Sequence, residues 1–251
     1  MTDIALRFDR VGKGYAGVSA LDDFSLEVAR GEFIALVGVN GAGKTTLIKC
    51  LLDFCDTDRG SIEIFGVPHR QTAARAQLAY LPERFNPPFF LTGRDFLQYM
   101  LRLYREPYDE SRILRTFSAL DLDPAALARP ARTYSKGMTQ KLGLAACLLS
   151  GKPLQVLDEP AGGLDPRARA LFKSELRSLR RSGATVFFSS HSLSDVAELC
   201  DRMVVLHAGR LCYAGTPAGL SQRYGGADLE NAFLACIADT PDNRRLAEFH
   251  V

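Results

Sequence analysis

The sequence has no tryptophan, no Cys-x-x-Cys pair and no apolar run approaching the ~20 residues that span a bilayer as a helix. Leu142–Leu149 comes closest and is far too short. The cysteines, Cys50, Cys55, Cys147, Cys200, Cys212 and Cys236, do not cluster with the histidines, which argues against a zinc site or a disulfide framework. They read as small buried apolar residues of a reducing compartment. Strong charge is also missing. The formal net charge is +2, with Lys and Arg spread along the chain. A nucleic-acid footprint is a basic stripe with a heavier balance, so no nucleic-acid partner is expected. Met1–Arg7 lacks the basic start and apolar run of a signal peptide. The expected location is the cytosol, or the inner face of a membrane through a partner. What is present is 251 residues, 47% hydrophobic and 24% charged. That suits one large domain, or a domain with an insertion, able to bury a core without staples.

Along the chain the pattern alternates between strand and helix. Ile4–Arg10 and Phe24–Val28 alternate apolar and polar residues, as half-buried strands do. Phe33–Val37 is continuously apolar, the mark of a strand buried on both faces. Ser61–Phe65 follows the turn signal Asp58-Arg59-Gly60. From about Phe85 to Leu149 the pattern is helical, over Arg94–Tyr104, Asp109–Leu120 and Gln140–Leu149. The α/β pattern then resumes: strand Pro153–Leu157, helix Pro166–Arg181, strand Thr185–Ser189, helix Leu193–Cys200 and strand Arg202–Leu206. Pro217–Tyr224 and Leu229–Ile237 read as helices of a tail.

Two segments carry chemistry. Gly38, Gly43, Lys44 and Thr45 fit G-x-x-x-x-G-K-[ST], between a buried strand and a helix. Glycines let the backbone turn so that successive N–H groups face an anion, and the helix adds the positive end of its dipole. The whole stretch Gly38, Val39, Asn40, Gly41, Ala42, Gly43, Lys44, Thr45 and Thr46 is therefore the candidate phosphate cradle for ATP. Lys44 supplies a point charge to the outer phosphates, and the Thr45 hydroxyl is placed for Mg²⁺. The second segment is Asp158-Glu159, at the end of a buried strand. Ligands of open α/β sheets gather at the carboxyl ends of strands, where the glycine loop also lies. Asp158 suits Mg²⁺, and Glu159 suits polarising the water that attacks the terminal phosphate.

With these motifs in place, the sequence resembles the ATP-binding-cassette (ABC) ATPases over nearly its whole length. Tyr134-Ser135-Lys136-Gly137-Met138 stands where the family's signature segment, usually L-S-G-G-Q, is found. The resemblance implies an α/β fold: a P-loop NTPase core with a mixed sheet, an N-terminal antiparallel β-subdomain and an inserted helical subdomain. The boundaries expected are 1–84 and 151–215 for the core with its β-subdomain, 85–150 for the helical part, and 216–251 for a helical tail. It also implies that two cassettes pair head to tail, Ser135 and Gly137 of one touching the γ-phosphate held by the other. Asp165, in Gly162-Gly163-Leu164-Asp165, corresponds to the loop crossing between paired sites. His191 corresponds to the switch histidine on the γ-phosphate, and Tyr15 to the aromatic that stacks on adenine. Tyr80-Leu81-Pro82-Glu83 takes the place of the family's glutamine loop, with Glu83 as a further Mg²⁺ ligand.

The departures are Glu83 for glutamine, Lys136 and Met138 for glycine and glutamine, and Ala161 for a hydroxyl residue. Glu159 and His191, the residues expected to be catalytic, are both present. The resemblance implies an ATP-hydrolysing subunit that drives an integral membrane permease, paired with a second cassette as a homodimer. The tyrosine-led signature, the Leu-Pro-Glu loop and the tail Asp228–Leu234 are similar to exporter-type cassettes. A soluble relative acting in translation or DNA maintenance is the alternative, disfavoured by the single cassette, the missing coiled coil and the weak charge. A GTPase is disfavoured by the lack of an Asn-Lys-x-Asp segment.

Overall fold

In the computed structural model, which describes residues 3–225 and 228–239, the first alternating stretch grows beyond its sequence pattern. Strand β1 runs Ile4–Tyr15 and pairs antiparallel with β2, Val18–Ala29. Both exceed the expected Ile4–Arg10 and Phe24–Val28. The extension is a hairpin closed at Ala16 and Gly17, both with positive φ, a turn whose twist matches that of the strands. Polar and small residues there break the alternation, which hides the strand ends from a pattern reading. Leu6, Phe8, Val11, Phe24, Leu26 and Val28 point inward, while Arg7 and Asp9 face out.

Strand β3, Phe33–Val37, is buried at every position and leads into helix α1, Lys44–Leu51. Strand β4, Arg59–Ile64, pairs antiparallel with β1, and the short β5, Val67–Pro68, pairs with β4. The first sheet therefore has the order β2-β1-β4-β5. A single helical turn, α2 (Thr72–Arg75), ends this stretch.

The chain forms two compact units, Met1–Arg75 with Thr185–Val251, and Ala76–Ala184. The second unit opens with β6, Leu78–Leu81, a strand absent from the sequence reading. Three helices follow: α3 (Gly93–Tyr104), α4 (Glu110–Ala119) and α5 (Lys136–Leu149). Then come β7, Leu154–Leu157, and α6, Pro166–Arg181. β6 and β7 are parallel, with Leu81 opposite Leu157. The helix starts are set by side-chain caps. Thr92 and Asp95 form a reciprocal capping box on α3, Asp109 caps α4, and Ser135 caps α5. Helix α5 begins four positions before the expected Gln140, because Lys136–Thr139 carry no apolar periodicity although Ser135 supplies the cap. Gly143 is the close-packing point: a Cβ there would stand 2.6 Å from Leu81 Cδ1 and 2.8 Å from Phe85 Cδ1.

The chain returns to the first unit at β8, Thr185–Ser189, continues through α7 (Leu193–Leu199) and β9 (Arg202–His207), and turns into β10, Arg210–Gly215. In this unit the second sheet has the order β10-β9-β3-β8. β3 is parallel to both β8 and β9, and β10 runs antiparallel to β9. β10 was also missing from the sequence reading, since Gly209, Cys212 and Gly215 give it no clear period. Phe8 meets Phe24 edge-on at 5.4 Å and Phe187 at 6.0 Å, joining the faces of the two sheets. Burying each such ring stabilises the unit by roughly 1.5–3 kcal/mol. Helices α8 (Pro217–Tyr224) and α9 (Leu229–Ala238) complete the described part of the expected tail. Residues 226–227 and 240–251 of that tail lie outside the described residues. Of the six cysteines, Cys55, Cys200 and Cys212 are only half-buried, which corrects their reading as core residues. No helix among the described residues is long and apolar enough to cross a membrane.

Candidate functional site

The predicted site residues divide between the units. Tyr15, Gly38–Thr46 and His191 belong to the first, while Glu83, Ser135, Gly137, Asp158, Glu159 and Asp165 belong to the second.

In the first unit, Val37 ends β3 and the loop 38–43 curls back onto α1. Ala42 N donates to Val39 O at 3.1 Å, and Leu47 N donates to Gly43 O at 2.9 Å. Two glycines are required sterically. A Cβ on Gly38 would lie 2.4 Å from Leu206 O. Gly43 has φ +109°, and a Cβ on it would lie 2.5 Å from Ala20 O. Gly43 is also the N-cap of α1, so no side chain occupies the first N–H groups of that helix. An anion there is favoured by roughly 0.3–1 kcal/mol when exposed, and more when partly buried. Lys44 Nζ is held over the loop by Gly38 O at 2.6 Å and Val39 O at 3.3 Å. Val39, Asn40, Gly41 and Thr45 are exposed, Gly43, Lys44 and Thr46 are half-buried, and Ala42 is buried with its carbonyl accepting from Gly209 N. The loop thus offers main-chain donors, one ammonium and two hydroxyls around a single curl.

His191 reaches the same edge of the sheet. β8 and β3 are parallel, with Leu36 beside Ser189, so the residues after each strand leave at one end. Ser190 N donates to Leu36 O at 3.2 Å, and Ser192 N donates to Ser190 Oγ at 3.0 Å, which fixes the segment carrying the exposed His191.

Tyr15 lies at the hairpin turn, 47% exposed. The sequence reading missed what holds it. Asp58 accepts from Gly14 N at 2.7 Å and from Lys13 Nζ at 2.8 Å, and Lys13 stands 5.4 Å from the Tyr15 ring centre. The hydrogen bond from Lys13, then that from Gly14, holds the Asp58 carboxyl below its ordinary 3.8. The Tyr15 hydroxyl donates to Cys55 Sγ at 3.5 Å. These partners lie some forty positions away along the chain, so nothing local announced them.

In the second unit, β6 and β7 deliver carboxylates to one edge. Glu83 follows β6 and Asp158 follows β7 in a parallel pair, and Asp158 N donates to Leu81 O at 2.8 Å. Asp158 is 3% exposed. Tyr80 reports the local field. Its phenol is pushed up to about 12, first by burial and then by the negative charges of Asp158 and Glu83. Glu159 has φ +48°, an uncommon left-handed conformation for a side chain of its size. Such strain at a loop next to a buried carboxylate costs of the order of 1–3 kcal/mol and gathers at functional sites.

Ser135 caps α5, its Oγ accepting from Met138 N at 3.2 Å. Tyr134 is fixed by its hydroxyl donating to Ala126 O at 2.6 Å. Lys136 and Gly137 therefore sit in the first helical turn. A Cβ on Gly137 would find Gly163 O at an ordinary 3.6 Å. Lys136 lays its stem against Gly163. Farther along the helix, the buried Gln140 donates from Nε2 to Pro160 O at 3.1 Å. That bond ties α5 to the loop after Glu159. Asp165 is the N-cap of α6, accepting from Ala168 N at 2.8 Å, and this bond, more than any other cause, lowers its pKa from 3.8.

Known proteins resemble this chain in sequence and in fold. The ABC transporter family model matches residues 21–162, more than half of the chain. An uncharacterized ABC transporter ATP-binding protein of Synechocystis is 38% identical over 80% of this chain, a match spanning 58% of that protein's length. The Nod factor export ATP-binding protein I of Paraburkholderia xenovorans is 34% identical, over 93% of this chain and 78% of its own length. Among solved structures, an ATP binding subunit of an ABC transporter superposes with a TM-score of 0.82 at 30% identity, covering 92% of this chain and 99% of that one. The chain belongs to the ABC transporter family.

Proposed function

We propose that the chain is the ATP-hydrolysing subunit of a membrane transporter, binding ATP with Mg²⁺ and working head to tail with a second copy of itself. One observation carries this reading: the loop 38–43, in which Gly38 and Gly43 are sterically required and whose end opens α1 on uncapped N–H groups beside Lys44. In this reading the loop amides and Lys44 hold the phosphates from Gly38 to Thr46, and Tyr15 stacks on the adenine. Thr45, Asp158 and Glu83 are hard oxygen donors, the type Mg²⁺ selects. When bound there, Mg²⁺ would neutralise phosphate charge. Glu159 takes the proton of the attacking water, and His191 hydrogen-bonds the terminal phosphate. Ser135 and Gly137 act on the nucleotide of the paired cassette, with Asp165 in the loop facing it.

The permease is read as docking on the second unit. Phe89 and Phe90 are each 67% exposed, and Tyr99 and Leu103 stand out from α3. Four large apolar groups close together in sequence form the kind of patch that marks a protein contact. The chain would then lie at the cytoplasmic face of the membrane through that permease. Export is the direction favoured, because one relative bears the name of an export protein.

The test is Glu159→Gln. It keeps size and loses the basic oxygen, so turnover should fall by roughly a hundredfold or more. ATP binding should persist, and with Mg²⁺ the variant should sediment as a dimer holding two nucleotides. Unchanged phosphate release would remove Glu159 from the reaction. A monomer at saturating ATP, both alone and with its permease, would end the head-to-tail reading.

A further inference from the structure

The sequence reading treated all six cysteines as packing residues. Two of them touch. Cys50 Sγ and Cys55 Sγ lie 3.5 Å apart, and Cys55 also accepts the hydrogen bond from the Tyr15 hydroxyl. The three side chains form a relay from the phosphate-loop helix to the exposed ring. Cys50 is fully buried in α1, six positions after Lys44. Cys55 is half-buried, beyond the turn that closes α1, where Asp53 N donates to Cys50 O and Phe54 N donates to Lys49 O.

We propose that Cys50 and Cys55 are a redox-sensitive dithiol whose closure to a disulfide weakens the hold on the adenine end of the nucleotide. The link to nucleotide rests on the reading of Tyr15 given above; the dithiol itself does not. The oxidant is a hydroperoxide. Cys55 is the thiol it can reach, and its sulfur attacks the peroxide oxygen. With hydrogen peroxide the O–O bond breaks, the departing hydroxide takes the Cys55 thiol proton and leaves as water, and a sulfenic acid stands on Cys55. Cys50 Sγ then attacks the Cys55 sulfur. The S–S bond forms, the S–O bond breaks, and the departing oxygen takes the Cys50 proton and leaves as a second water. The thiols lose two electrons and the peroxide gains them. Burial, then the contact with Cys55, pushes the Cys50 thiol up to about 12, so Cys55 rather than Cys50 meets the peroxide first.

Closure must move the sulfurs from 3.5 Å to about 2.05 Å. Cys50 is locked in a buried helix, so Cys55 makes most of that movement. As a disulfide sulfur, Cys55 is a poorer acceptor for the Tyr15 hydroxyl. The Lys13 contact at the Tyr15 ring remains.

The experiment treats the reduced full-length chain with hydrogen peroxide. The products are mapped by peptide mass spectrometry, and ATP and inorganic tripolyphosphate binding are measured before and after. The expected results are a Cys50–Cys55 crosslinked peptide, ATP affinity lower by about fivefold, the worth of one aromatic contact, and unchanged tripolyphosphate affinity. Dithiothreitol should restore ATP binding, and Cys55→Ser should be insensitive to peroxide. Absence of the crosslinked peptide would overturn the proposal. So would a complete crosslink with unaltered ATP affinity in a chain whose Tyr15→Ala variant binds ATP more weakly. If Tyr15→Ala leaves ATP affinity unchanged, the placement of adenine itself is wrong, and the coupling falls with it.

Discussion

The glycine loop of the first unit and the signature turn of the second both depend on glycine, but for opposite reasons. Gly38 and Gly43 are glycine because the protein itself crowds them: a Cβ would meet main-chain oxygen at 2.4 or 2.5 Å. Gly137 is crowded by nothing, its nearest main-chain oxygen lying at van der Waals distance, 3.6 Å. It also sits in a helix, where glycine is less stable than alanine by roughly 0.5–1 kcal/mol. A residue that weakens its own helix without relieving a clash is placed for something that arrives from outside. In the function proposed above, the first kind of glycine would shape the loop around this chain's nucleotide, and the second would leave room for the partner's.

Four substitutions press on that difference. The largest effect is expected from Lys44→Ala, which removes the only ammonium held over the loop by its carbonyls. A charge-assisted hydrogen bond contributes about 1.5–3 kcal/mol, so ATP affinity measured by calorimetry should drop by roughly ten- to a hundredfold. Retained affinity would place the phosphates elsewhere. Gly43→Ala comes next. It forces a side chain onto a left-handed backbone and into Ala20 O, so thermal unfolding should register a loss of about 2 kcal/mol. Gly137→Ala should do the reverse, raising stability by up to about 1 kcal/mol while slowing ATP turnover. If the two alanines shift stability in the same direction, the contrast between the units is wrong.

The smallest effect concerns the hairpin that presents Tyr15. Asp58 has its pKa lowered below 3.8 by Lys13 and Gly14. Its contribution is therefore complete above pH 3.8 and is lost as the pH falls through the lowered folded value. Asp58→Asn should unfold at a slightly lower temperature at neutral pH. The gap to the parent should close in acid, where the parent has lost the same charge. A gap that persists in acid would assign the effect to packing.

The strand, loop and helix from Phe33 to Leu51 were legible because every part lies in one continuous stretch and each residue type has a local reason. Helices α6, α8 and the strand β8 were legible to the residue for the same cause: Pro166 and Pro217 open the helices, and an unbroken apolar run marks the strand. The errors follow the opposite pattern. β6 was lost because Leu-Ala-Tyr-Leu before a proline has no alternation, and its strand state comes from pairing with β7. The start of α5 was lost because a cap, rather than apolar spacing, sets it. In the site, motif segments could be read one at a time. What the sequence withheld was contact across distance: Asp58 and Cys55 on the Tyr15 hairpin, and Gln140 on Pro160.

That last bond bears on how two nucleotides would sense one another. In the head-to-tail pair proposed above, the Ser135 end of α5 would face the partner's ATP, while Asp158 and Glu159 would face the chain's own. Gln140 joins the two by one buried hydrogen bond of 3.1 Å within a single chain. If ATP at the two sites of that proposed pair binds cooperatively, Gln140 is the side chain through which this chain would couple them, and removing its amide would weaken the coupling.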